Sequence, residues 1–157
     1  MKKIISSLAF MILGALIMGV VIVKMAPGMM IHQIKSPYDV DKTVAVISEN
    51  AKKQGWSVKK VSDMQKTMKK KLKKDIPATK VMKLGQSKLA YDLLKEDGTR
   101  FLATVMPHSI AVYETNDGTY ISSFNMALMG KIFGGETDRV MGLVQKDDDE
   151  ILKFLLH

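Results

Sequence analysis

The sequence predicts an α+β protein, a mainly antiparallel sheet covered by helices and preceded by one transmembrane helix. Three observations predict it. An uncharged run of twenty residues, 4–23, opens the chain. Beyond it, short alternating segments interleave with segments of helical spacing, the pattern of strands and helices sharing one core. Near the middle, "HSIAVYE" (108–114) and "TYISSF" (119–124) flank "TNDG", a strong hairpin signal.

The first element is "IISSLAFMILGALIMGVVIV", residues 4–23, behind Lys2 and Lys3. At about 1.5 Å per residue it matches a hydrocarbon core of roughly 30 Å. It is longer than a secretory signal's apolar run and ends without a small-x-small site, so it reads as an uncleaved signal anchor. Lys2, Lys3 and the terminal amine outweigh Lys24 and Lys35, which places the N-terminus inside. The expectation is a single-pass protein of the inner (cytoplasmic) membrane, with its globular part periplasmic or extracellular. Residues 24–30, with Pro27 and Gly28, read as a linker, and 31–157 as one α+β domain.

Within that domain, "MIHQIKS" (30–36) alternates as a first strand. A helix follows, with Val44, Ile47 and Ala51 on one face, Asp39 or Asp41 placed to cap it and Gly55 to end it. "WSVKKV" (56–61) is a second strand with Trp56 and Val58 on one side. "MQKTMKKKLKK" spaces Met64, Met68 and Leu72 four apart, with six lysines between 66 and 74. This short basic helix is either a solvated face or a contact for an anionic membrane surface through Lys66, Lys69, Lys70, Lys71, Lys73 and Lys74. A third strand (77–85) and a helix with Leu89, Leu93 and Leu94 inward precede the hairpin. "NMALMGKIFGG" then gives one or two helical turns. The chain ends in one helix, or two broken at "KDDD", with Val140, Val144, Ile151, Leu152 and Leu155 apolar.

Composition narrows the chemistry. The absence of cysteine excludes disulfides, thiolate catalysis and iron–sulfur ligation. The net charge of +8 rests on 24 Lys+Arg, but only Arg100 and Arg139 are arginine and aromatics make up 6%. Nucleic-acid recognition leans on arginine and stacking rings, so no nucleic-acid partner is expected. Nucleotide-binding glycine loops and the Gly-x-Ser-x-Gly elbow are also missing.

From "SPYDVDKTVAVISENAKKQGWSV" through "VMKLGQSKLAYDLLKEDG" to "MPHSIAVYETNDGTYISSFNMALMGKIFGG", about residues 31–135, the chain resembles the domain-of-unknown-function family 302 of bacteria and archaea. The proline-led strand, "AVYE" and the following "NMALMGKIFGG" carry most of the likeness. The resemblance implies a compact α+β domain that pairs as a homodimer, and it brings no established activity. Family members often carry Pro-Cys where this chain has Pro107–His108. That departure removes thiol chemistry and leaves an imidazole.

His108 is accordingly the main candidate. Pro107 cannot donate to a sheet ladder, so it stands at the strand's entrance and His108 is the strand's first side chain. Met106 shares its parity, and Met126 and Met129, three apart on the next helical turn, could converge on it. His108, Met106, Met126 and Met129 form the candidate ligand site. Imidazole with thioether suits Cu(I) or haem iron, with His108 as the metal ligand, whereas thirteen methionines also suit plain core filling. His32 beside Met29 and Met30 is a second, weaker cluster. The expected function is a non-catalytic, membrane-anchored binding or accessory module for a small ligand. The alternatives are a haem or copper carrier and, behind it, a hydrolase built from His108, Ser109, Ser122, Ser123 and Glu114.

Overall fold

The structure is a computed structural model that describes residues 2–156; of residues 2–10, 22, 23, 25–27 and 156 only the backbone is described. The chain divides into two compact units, Met1–Met30 and Ile31–His157. The first is a single helix, α1 (Lys2–Met30), which runs on through the stretch 24–30 read as a linker. Among the described residues no helix is long and apolar enough to cross a membrane, which overturns the expected single-pass, inner-membrane location. Within α1 the longest uncharged stretch with described side chains, 11–21, reaches roughly 16 Å as a helix, about half a hydrocarbon core. Residues 4–10, 22 and 23 of the expected span lie outside the residues whose side chains are described.

The second unit is built on a five-stranded, wholly antiparallel sheet in the order β1-β5-β4-β3-β2. Its strands are β1 (Ile31–Ser36), β2 (Ser57–Asp63), β3 (Thr79–Gly85), β4 (His108–Thr115) and β5 (Gly118–Phe124). Between and after them come α2 (Val40–Lys53), α3 (Met64–Leu72), α4 (Ser87–Leu94), α5 (Met126–Phe133) and α6 (Gly135–Ile151). A 3₁₀ segment, Arg100–Val105, leads into β4 and has no counterpart in the sequence pattern.

Alternation decides which face is covered. On β4, His108, Ile110 and Val112 are buried while Ser109, Ala111 and Tyr113 are half-exposed. Met82 and Leu84 of β3 and Ile121 of β5 share the buried side. Against it lie Ile47 and Ala51 of α2, Leu89 and Leu93 of α4, Met126 of α5, and Val140, Met141, Val144 and Ile151 of α6. These side chains make one continuous core, and their burial is the main source of stability. The opposite face carries half-exposed and exposed groups, among them Phe124 and the stacked rings of Tyr113 and Tyr120, 6.2 Å apart.

Local signals place the ends of the elements. Asp39 caps α2, its carboxylate accepting from Lys42 N at 2.8 Å, and Gly55 beyond the helix takes φ +78°. The hairpin closes at Thr115 opposite Gly118, whose φ of +136° favours glycine. Inside this turn Asp117 accepts from the Thr115 and Tyr120 hydroxyls, which with nearby Lys35 hold its carboxyl down to about 2. The terminal helix α6 is unbroken through "KDDD".

Candidate functional site

The buried face of β4 starts with a polar residue. The Met106–Pro107 bond is cis, and His108 follows it as the first residue of the strand, on the side of Ile110 and Val112. Its partner comes from forty residues away. Along α6 the inward positions are Val140, Val144, Asp148 and Ile151, so one carboxylate sits in an apolar stripe. His108 Nε2 lies 2.8 Å from Asp148 Oδ2, with the side chains only 4% and 2% exposed.

That contact leaves most of the pair's bonding capacity unused. The separation suits an ion pair, yet neither ring nitrogen nor either carboxylate oxygen has a protein partner in hydrogen-bond alignment. An imidazole has two nitrogens to satisfy and a carboxylate about four lone-pair positions. Burying such groups incompletely paired is costly, and each native instance needs a reason.

Gln145, Asp147 and Asp149 of "QKDDD" have partners of their own. Gln145 accepts from Met126 N at 3.0 Å through its Oε1, fixing the start of α5, and its Nε2 donates to Asp149 at 2.9 Å. Asp147 accepts from Trp56 Nε1 at 2.9 Å. That bond sets the indole against the imidazole of His108, edge to face at 6.0 Å. Successive residues of one helix thus position the two rings of the site.

In front of these rings is a cavity of about 400 Å³. Its walls come from β2 (Lys59), with Trp56 just before that strand; from the β3–α4 corner (Leu84 to Ser87); from α4 (Leu89, Leu93); and from Val105 to His108. Met126 of α5 and Val140, Met141 and Val144 of α6 complete it. The lining is almost entirely apolar, and the volume falls within the usual range for small-molecule sites.

Of the four residues singled out in the sequence, Met106, His108 and Met126 line this cavity together. Met129 does not; it packs, partly buried, against the core. Ser109 points to the opposite face of β4, its hydroxyl 2.6 Å from Lys83 Nζ, and Ser122 shares that face. Ser123 is buried on the cavity side of the sheet, and Glu114 is exposed. His32 is half-buried on the edge strand β1. Among the described residues no three His, Asp or Glu side chains gather as a metal site. The α3 helix buries no side chain, and Lys66 and Lys69 pair with Asp63 and Asp75.

The fold and site define a class: a single-sheet antiparallel α+β domain with an apolar cavity lined in part by a buried histidine that an aspartate backs. Within that class the chain belongs to the family described as "Domain of unknown function DUF302", whose model matches residues 32–154. It is similar to a solved structure, the uncharacterized conserved protein DUF302 from Bacillus stearothermophilus, at a TM-score of 0.72 and 16% identity. The match covers 81% of this chain and 98% of that one, and at that identity it speaks for the fold alone. No curated protein matches the sequence.

Proposed function

We propose that the protein is a non-catalytic binding module for a small, mostly apolar ligand carrying one neutral hydrogen-bonding atom. The observation that carries this reading is the cavity of about 400 Å³ whose mostly apolar wall includes His108, an incompletely partnered imidazole backed by buried Asp148. Apolar burial supplies the affinity, and the imidazole fixes the orientation of a hydroxyl or carbonyl. A second carboxylate in that position would face Asp148, so the group at His108 is a neutral one.

The chain has one tryptophan, Trp56, and it lines the cavity, so its emission reports occupancy. Titration with decanol should give a saturable change in the wild type and none in Ala90→Phe, which fills the cavity from α4. An unsaturable response, or the same affinity in both proteins, would refute the proposal.

A second reading has its own observation. The thioethers of Met106, Met126 and Met141 line the same cavity as His108, a donor set that suits Cu(I). The arrangement in which a carboxylate backs one ring nitrogen also recurs at metal-bound histidines. Haem and Cu(I) titrations of wild type against His108→Ala and Met126→Ala test it. Equal affinities in all three would remove metal or haem from this position.

A further inference from the structure

The mouth of the cavity carries a cation placed there by an irregularity of the sheet. Strand β2 pairs with β3 as Val58 opposite Leu84 and then Lys60 opposite Lys83, which leaves Lys59 as an extra, unpaired residue. Such a bulge re-aims a side chain that strict alternation would send elsewhere. Here Lys59 becomes part of the cavity lining. Its chain crosses Gly85, where an added Cβ would stand 2.9 Å from Lys59 Cε. The bulge and the glycine beneath it together hold the lysine across the opening.

The charge of Lys59 is unanswered. Lys66, Lys69, Lys80 and Lys95 each face a carboxylate, but Lys59 forms no ion pair among the described residues. It is the only lysine in the cavity lining, which includes no aspartate, glutamate or arginine. Gln86, on the same rim, turns its Oε1 to the amides of Lys88 and Leu89 and so leaves its amide NH₂ as a donor. The deep end of the cavity, where Asp148 lies behind His108, disfavours an anion, whereas the rim favours one.

We infer that the ligand is an anionic amphiphile, an apolar body with a carboxylate or similar acidic group that Lys59 holds at the cavity mouth. This rests on the cavity being a ligand site and adds the charge of the ligand and its direction of entry. An exposed lysine–carboxylate contact is modest, so the effect is a preference superimposed on apolar burial.

The experiment compares decanoate, decanol and decylamine by Trp56 emission on the full-length protein, at low and at high salt. Decanoate should bind about three- to five-fold more tightly than decanol, and decylamine more weakly than both. Added salt should weaken decanoate and leave decanol unchanged. Lys59→Met should bring decanoate and decanol to equal affinity, and Lys59→Glu should reverse the order of decanoate and decylamine. Equal binding of decanoate and decanol by the wild type would overturn the inference while leaving the cavity as a site. A decanoate advantage that survives in Lys59→Met would also overturn it. Binding of none of the three would overturn both readings. The wild-type salt response stands even if a variant folds poorly.

Discussion

Two clusters of charged side chains flank helix α6, and they are built in opposite ways. Near its start, exposed Arg139 donates to Glu136 through both Nε and Nη2 and to Asp92 through Nη2 at 2.9 Å. These hydrogen bonds hold Asp92 and Glu136 below the ordinary carboxylate range and raise Arg139 above its own. Near its end, buried Asp148 meets His108 and neither group finds an aligned hydrogen bond. The first cluster is satisfied and screened by water, so it contributes little. The second is dry and incompletely paired. A fold keeps such a pair at a cost, and here its histidine lines a cavity with the aspartate behind it.

The largest effect should come from dividing the buried pair. His108→Leu leaves the Asp148 carboxyl buried without its partner and should destabilise the domain by about 3 kcal/mol in urea denaturation. His108→Leu combined with Asp148→Leu should recover most of that loss, to within about 1 kcal/mol of wild type, while no longer orienting a polar ligand. A double variant as unstable as the single one would make the pair structural and dissolve the contrast.

Filling the cavity should separate stability from binding. Ala90→Phe should change stability by roughly 0.5 kcal/mol, since the added ring enters existing space and the helix tolerates it. Decanol binding should be lost all the same. Retained binding would place the ligand elsewhere.

The smallest effect belongs to the exposed cluster. Arg139→Gln should shift the denaturation midpoint only slightly at neutral pH, and less in high salt. Asp92 and Glu136 have lowered folded-state pKa values, so their contribution is present above the unfolded carboxylate range, near pH 4. It is lost as pH falls through the folded values. The small gap between wild type and Arg139→Gln should therefore close on acidification; a gap that widens would assign the cluster a different role.

Much of the domain was legible because its signals are local. The Asp39 cap, the alternation of β4 and β5 about Gly118, and the Ile47–Ala51 face each depend on neighbours within a few residues. The strand and helix segments expected between 30 and 135 all occur, with shifts of a few residues at their ends and the 3₁₀ segment added. The site was half legible. Pro107–His108 and the parity of Met106 pointed to the cavity, but its other wall depends on α6, which packs there by tertiary contact. The sequence did contain a clue: Val140, Val144, Asp148 and Ile151 recur at i, i+4, i+8 and i+11, with an acid in an apolar row. Reading "KDDD" as a potential break concealed it. Lys59 was harder to find, since a bulge reverses the face that alternation assigns and leaves little local mark.

The central claim, that His108 is the polar contact of a ligand held in this cavity, can be read at one nucleus. The chain has three histidines, His32, His108 and His157, so ¹⁵N-histidine labelling gives three resolvable imidazoles. On titration with decanol the ring nitrogens of His108 should shift saturably, with the midpoint given by Trp56 emission, while those of His32 and His157 stay in place. Saturable Trp56 emission with unmoved His108 nitrogens would contradict the account.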